Sequence, residues 1–182
     1  MFIGHYAPAF LAATLAPPRA RVPLGIGFVA TQLVDIAFFS FQVIGVEHLR
    51  LVPHITVMNP MDLYDMPWTH SLAGSIGWAA AFALILWLWR RNGAMAAMGF
   101  ALVLSHWLLD LLVHRPDLTL WGAPPPLGLG LWNHPVIEMP LELALAFGGL
   151  ALFWARSRPR GASGRWAPVA LMLGLGGLQA YN

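Results

Sequence analysis

The amino-acid sequence predicts an all-α protein, a polytopic bundle of about six transmembrane helices that forms a single domain over residues 1–182. Three observations predict this fold class. First, 58% of the residues are hydrophobic and only 10% are charged, whereas a soluble domain carries about 25% charged residues. Second, several segments reach the length of roughly 20 mostly apolar residues that a spanning helix needs. Third, the arginines fall in alternate loops between those segments.

Four segments are long enough to span a bilayer and two are shorter. The long ones are Leu24–Glu47, Pro67–Trp89, Ala94–Val113 and Val136–Ala155; the short ones are Phe2–Ala16 and Trp166–Tyr181. Pro67 suits the first turn of its helix. The N-terminus lacks the positively charged start of a secretory signal, so we expect a retained first helix. The sequence therefore predicts six spans, with four as the minimum.

The charged residues exclude some functions and predict an orientation. The ten arginines and eight acids give a net charge of +2 without a basic stripe, so we expect no nucleic-acid partner. The absence of cysteine excludes disulfides and thiolate metal sites. Eight arginines fall in alternate loops, which the positive-inside rule makes cytoplasmic. They are Arg19, Arg21, Arg90, Arg91, Arg156, Arg158, Arg160 and Arg165. Both termini would then be extracytoplasmic.

All seven histidines fall on the opposite, arginine-poor side of this predicted topology. Two long loops, Leu49–Met66 and Arg115–Asn133, lie on that side as well. The second is too apolar for a solvated loop, so we expect it to lie at the interface or fold over the helix ends. The histidine-rich extracytoplasmic face is therefore the candidate location of function.

The helix over Ala94–Val113 carries the most specific signal. His106, Asp110 and His114 are spaced at i, i+4 and i+8 and therefore share one helix face. Imidazole nitrogens and carboxylate oxygens are ligands for zinc and similar divalent ions, and ionisable groups inside a span are costly and usually functional. The alternative is a structural hydrogen-bonded pair that joins helices.

Two further residues are candidate ligands on neighbouring helices. Asp35 interrupts the second segment and needs a proton, a cation or a polar partner there. His70, expected in the first turn of the third helix, could instead be an interfacial residue beside the capping residues Thr69 or Ser71. By helix rise, Asp35 lies roughly 18 Å from Glu47, deeper than the other candidates.

A second polar stripe, at His134, Glu138 and Glu142, lies at the outer half of the fifth helix. Its carboxylates could bind metal, transfer protons, or orient a ligand histidine. The alternative for Glu138 is a favourable interaction with the helix dipole. His48 and His54 are most simply solvated loop residues.

Short motifs follow one another from residue 4 to about residue 121. They are Gly4-His5, Asp35, Thr69-His70-Ser71, Ser105-His106 with Asp110, and Leu120-Trp121. In this order they resemble the bacterial inner-membrane metal-dependent hydrolase family typified by the LexA-regulated membrane protein. The resemblance implies His5, Asp35, His70, His106 and Asp110 as metal ligands, zinc as the metal, and a multi-pass protein of the bacterial inner (plasma) membrane.

Two motifs depart from the family pattern. The Asp-x-Asp-His motif keeps only its first acid, Asp35, and Asp65-Met66-Pro67 stands where the family has His-Arg-Gly. Asp65 could therefore supply an oxygen ligand in place of a nitrogen. The resemblance implies metal-dependent hydrolysis. The two departures leave a metal site possible but imply that turnover and substrate differ from those of the family.

Three functions compete at this stage. The first is a metal-dependent hydrolase in which Glu138 or Glu142 moves the proton and a lipid or lipid-linked ester or phosphoester enters from the membrane. The second is an ion or proton transporter that uses the same His, Asp and Glu cluster. The third is a non-catalytic membrane module. A transporter would need a second polar cluster towards the arginine-rich side, which the sequence does not offer.

Overall fold

The computed structural model describes residues 1–158 and 161–181, so Arg160 of the predicted cytoplasmic set lies outside the described residues. Six α-helices and one small sheet form the regular structure of this part of the chain. The helices are α1 (Ala7–Leu15), α2 (Leu24–Val43), α3 (Leu72–Arg90), α4 (Gly93–Val113), α5 (Pro135–Arg156) and α6 (Gly161–Tyr181). The predicted all-α membrane bundle is confirmed.

Four helices, α2 to α5, are long and apolar enough to cross a membrane within the described residues. Large apolar side chains such as Phe39, Ile85 and Leu108 point away from the protein, as lipid contact requires. The nine residues of α1 are fewer than the roughly 20 that a span needs. Helix α6 has sufficient length, but Arg165 and Pro168 lie within it. The spans therefore match the predicted minimum of four.

Helix α4 is the central element of the bundle. It packs against α3 along their length and against α2 on another side. The α3–α4 turn is tight because Arg91 adopts a left-handed conformation, with φ of 51°, and because the Asn92 side chain caps α4 by accepting from the amide of Ala94. The same Asn92 donates to the Arg19 carbonyl at 2.7 Å. Two arginine-bearing loops therefore meet at one end of the bundle.

Two predicted helix boundaries were wrong at the opposite end. Helix α2 ends at Val43 because the chain turns at Gly45, whose φ is +74°. Helix α3 begins at Leu72 rather than Pro67 because Ser71 is its N-cap and accepts from the amide of Gly74 at 3.0 Å.

Two further boundaries differ at the chain ends. The first segment begins with a 3-10 turn at Ile3–Tyr6 and becomes α-helical only at Ala7. The last helix starts at Gly161, so Arg165 lies inside α6 and not in the preceding loop.

The first long outer loop contains a hairpin that the sequence did not predict. Strands β1 (His48–Leu51) and β2 (Met61–Asp65) pair antiparallel. The strands are too short for their alternation to be distinctive.

The second long outer loop packs onto the helix ends. The amide of Leu72 donates to the Thr119 carbonyl at 2.9 Å, and Leu118 pairs with Leu127 in both directions. Leu118 is fully buried, and the Trp132 carbonyl accepts from the amide of Met58 at 3.0 Å. The second outer loop therefore covers this end of the bundle.

Candidate metal centre

The polar stripe of α4 forms the base of the centre. Asp110 Oδ2 lies 3.0 Å from His106 Nε2, and Asp110 Oδ1 lies 3.6 Å from His114 Nε2. All three side chains are at most 4% exposed. The predicted i, i+4, i+8 arrangement on one face is present, and Asp110 is its middle member.

Asp35 and His70 add two further ligand atoms beside His106 and Asp110. Asp35 Oδ1 lies 3.3 Å from His106 Nε2 and 3.4 Å from His70 Nε2. His70 Nε2 in turn lies 3.7 Å from Asp110 Oδ2. Ligand atoms around a tetrahedral zinc ion, at bond lengths of about 2.0–2.1 Å, are separated by about 3.3–3.4 Å. The four measured separations are close to that value.

The early end of α2 explains why Asp35 reaches this level. Val43, the last residue of the helix, lies eight positions after Asp35, so Asp35 lies about 12 Å from the helix end. The expected depth of roughly 18 Å assumed a helix continuing to Glu47. His106 lies about 10 Å from the end of α4 by the same measure, and the two side chains therefore meet.

His5 reaches the centre from the N-terminal 3-10 turn. Its Nε2 lies 3.1 Å from Asp110 Oδ1, and its ring stacks on that of His106 with centroids 3.9 Å apart. His5, Asp35 and His106 form one group whose ligand atoms lie within 4.8 Å of one another. His70, His106 and Asp110 form another.

The outer nitrogens of three histidines are held by the surrounding protein. His106 Nδ1 contacts the Thr31 carbonyl at 2.7 Å, His70 Nδ1 contacts Thr69 Oγ1 at 2.9 Å, and His114 Nδ1 contacts Asp117 Oδ1 at 2.8 Å. Metal-binding histidines usually carry such partners, which fix the ring and the tautomer and leave Nε2 free for the ion. Each Nε2 atom here faces the shared carboxylates.

Glu47 holds the segment that carries His70. Its carboxylate accepts from the amides of Trp68 and Thr69, at 2.7 and 3.0 Å, and from the Thr69 hydroxyl at 2.6 Å. Glu47 is fully buried, so these charge-assisted bonds compensate its desolvation. The chain from Glu47 through Thr69 fixes the His70 ring just before α3 begins.

Several buried atoms of the centre have no hydrogen-bond partner within the described residues: His5 Nε2, His106 Nε2 and Asp110 Oδ2. Two of them, His106 Nε2 and Asp110 Oδ2, nevertheless lie only 3.0 Å apart. Buried polar atoms are rarely left unpaired. The close approach of His106 Nε2 and Asp110 Oδ2 without hydrogen-bond alignment is the arrangement expected of two atoms that bind the same cation.

The predicted pair on α5 is buried beside the N-terminal segment. Glu142 accepts from the amide of Gly4 at 3.0 Å and also from the amide of Phe2. Both carboxylate oxygens of Glu138 are buried and lack partners in the described chain. His134, the third residue of this stripe, is exposed at the start of α5.

Asp65 lies in β2 and is absent from both groups of candidate ligands. Its carboxylate contacts His48 Nδ1 at 2.7 Å instead, and both side chains are more than 40% exposed. His54 is also exposed. The expectation that His48 and His54 are solvated agrees with their exposure.

The positioning roles of Glu47 and Asp117 were not predicted from the sequence. Asp117 follows His114 at i+3, a spacing that suggests a contact where a helix ends. Glu47 gave no comparable signal because its partners are about twenty residues away in the chain.

Comparison of the chain with protein-family models, curated proteins and solved structures finds no match. The functional evidence therefore comes from the residues of the centre. They describe a membrane protein with buried histidine and aspartate groups suited to a metal ion.

Proposed function

We propose that the protein is a membrane-embedded metal-dependent hydrolase whose ion is zinc. The observation that carries the proposal is the set of Nε2 and carboxylate atoms that converge within the bundle, three of which are buried without a hydrogen-bond partner in the described chain. A nitrogen and oxygen ligand set of this size suits zinc. The motifs shared with the metal-dependent membrane hydrolases imply the same chemistry.

Asp35, His70, His106 and Asp110 would hold the ion. A divalent ion there supplies Lewis acidity and activates water for hydrolysis near neutral pH. Glu138 is the residue we assign to proton transfer, because its carboxylate is buried and has no hydrogen-bond partner in the described chain. Glu142 is engaged by backbone amides and positions the N-terminal turn that carries His5.

The substrate we propose is a lipid or lipid-linked ester or phosphoester. Asp35 is 30% exposed, whereas His5, His70, His106 and Asp110 are at most 3% exposed. An apolar groove of about 350 Å³ runs between α2 and α6, and its lining includes Gln32 and Ile36, which flank Asp35 in the sequence, together with Phe28, Gly174 and Leu178. Because α2 is a membrane-spanning helix, an acyl chain could enter this groove sideways from the bilayer.

The proposed location is the bacterial inner membrane, with the centre and both termini on the extracytoplasmic side. Arginine-bearing loops meet at the far end of α4 from the centre, and such loops are retained in the cytoplasm. Membrane lipid is then both the surroundings of the protein and the source of its substrate.

Metal analysis tests the proposed function directly. Detergent-purified protein is remetallated with zinc, desalted and analysed for bound metal and for hydrolysis of phospholipids. We expect metal binding and hydrolysis in the parent and loss of both in His106→Ala. The matched control is His54→Asn, which removes an exposed histidine and suits the positive φ at that position. A non-catalytic module would show reduced stability in His106→Ala with unchanged metal content.

The groove can be tested separately from the metal. Gly174→Phe would fill it, and a side chain at this position meets no atom nearby, so α6 tolerates the change. We expect hydrolysis of a long-chain phospholipid to fall by about tenfold or more, with hydrolysis of a short-chain soluble analogue retained. Gly177→Phe, on the same helix but outside the groove, is the control. Equal losses for both substrates would contradict entry of the acyl chain through this groove.

A further inference from the structure

The carboxylate of Asp110 divides the four buried histidines into two pairs. Its Oδ2 atom faces His106 at 3.0 Å and His70 at 3.7 Å. Its Oδ1 atom faces His5 at 3.1 Å and His114 at 3.6 Å. In each case the histidine atom that faces the carboxylate is Nε2. Each oxygen of Asp110 therefore has two imidazole nitrogens near it.

A single ion would leave part of this arrangement unused. The two groups of ligand atoms share His106, but one imidazole nitrogen binds only one ion. A carboxylate has two oxygens and can bind one ion through each. Once His106, His70 and Asp35 are assigned to an ion at Oδ2, His5 and His114 remain on the opposite oxygen.

The two remaining histidines have the features of ligands. His5 is 1% exposed, and its Nε2 has no hydrogen-bond partner in the described chain, although Asp110 Oδ1 is only 3.1 Å away. The contact has the length of a hydrogen bond without its alignment. A cation between the two atoms would satisfy both.

His114 is oriented as firmly as the ligands of the first ion. Its Nδ1 contacts Asp117 Oδ1 at 2.8 Å, and the other oxygen of Asp117 lies 3.3 Å from Arg115 Nε. The Trp132 ring packs against the His114 ring, with centroids 4.3 Å apart. This leaves Nε2 directed at Asp110.

From this geometry we infer a second divalent-cation site, formed by His5, His114 and Asp110 Oδ1, with Asp110 bridging two ions. The inference rests on the proposed metal-dependent function and adds one ion to it. Paired ions in hydrolytic sites lie about 3.5–4 Å apart and together bind the oxygens of a phosphoryl group. The second ion therefore favours a phosphoester over a carboxylic ester as the bond that is cleaved.

Metal stoichiometry distinguishes the second ion from the first. We expect the remetallated parent to bind two zinc ions per chain, and His114→Ala and His5→Ala to bind one. Asp110→Ala should bind none, because it removes the bridge. One ion in the parent, unchanged in His114→Ala, would overturn the second site and leave the proposed hydrolase intact. No ion in the parent would overturn both.

Manganese loading gives a second readout that does not depend on activity. The fully loaded parent should give the electron paramagnetic resonance signal of an exchange-coupled manganese pair, and His114→Gln should give that of an isolated ion. Gln keeps a polar group that can contact Asp117, so this variant retains the loop if His114→Ala does not fold. An isolated-ion signal from the fully loaded parent would contradict the bridge.

Discussion

Two clusters rich in histidine and aspartate lie at the same end of the protein, and they differ in what balances their charge. In the hairpin cluster, Arg50 and Arg115 both contact Asp62, and the exposed His48 contacts Asp65. In the candidate metal centre no arginine contacts Asp35 or Asp110 within the described chain, and the ligand atoms face one another instead.

Burial determines how these two clusters behave. An exposed ion pair is solvated and contributes little to stability. The exposed His48–Asp65 pair therefore needs no further partner. Buried carboxylates without a cation are costly. A composition rich in histidine and aspartate therefore does not by itself indicate a metal site. In the candidate centre it is accompanied by the lack of an arginine partner in the described chain and by buried ligand atoms without hydrogen-bond partners.

The largest expected effect comes from removing the shared ligand of the centre. Asp110→Asn should abolish metal binding, whereas Asp62→Asn in the hairpin cluster should leave the metal content unchanged. Chelation should also lower the melting temperature of the parent on the order of 10 °C, since ligand at a thousand times its Kd stabilises by about 4 kcal/mol. Thermal unfolding with and without chelator measures this. An equal chelator effect in Asp110→Asn would contradict the assignment.

An intermediate effect on metal affinity is expected from the carboxylates that contact the Nδ1 atom of a histidine. Asp117 and Asp65 make nearly the same contact to a histidine Nδ1, at 2.8 and 2.7 Å, but only Asp117 serves a buried ligand. Asp117→Asn should weaken metal binding by about 10–100-fold. Asp65→Asn should not change it. Competition with a zinc indicator measures the zinc affinity of both variants. Similar affinities would contradict the inference that Asp117, and not Asp65, supports metal binding.

The smallest expected effect is on the exposed pair itself. His48→Ala removes a side chain that is 46% exposed, so the free energy of unfolding should change by less than about 0.5 kcal/mol. Metal content and hydrolysis should stay at parental values. Denaturant unfolding in detergent measures the stability. A loss of metal in this variant would show that the hairpin contributes to metal binding and would contradict the separation of the two clusters.

The parts of the centre that the sequence predicted are those set by local periodicity. His106, Asp110 and His114 share a face because helix geometry repeats every 3.6 residues, and the acid within the second apolar segment indicated a buried partner.

The parts that were missed depend on where helices end and on contacts between distant residues. Glu47 looked like the end of an apolar helix, but a turn at Gly45 releases it to bind Thr69, 22 positions away. His70 was expected within α3, yet the Ser71 cap places it in the preceding loop. Neither boundary follows from hydrophobic periodicity, because one depends on the turn at Gly45 and the other on Ser71 acting as the N-cap.

The contact between Glu142 and the N-terminal backbone has a consequence for biogenesis. Asp35, His70 and His106 come from consecutive elements and can meet once α4 is in the membrane. His5 is held in its turn by a residue made 137 positions later, about 7–27 s at ordinary rates of synthesis. During that interval the N-terminal turn lacks its anchor. Under the proposed metal-dependent function, metal loading of the nascent protein would therefore finish only after the fifth helix inserts.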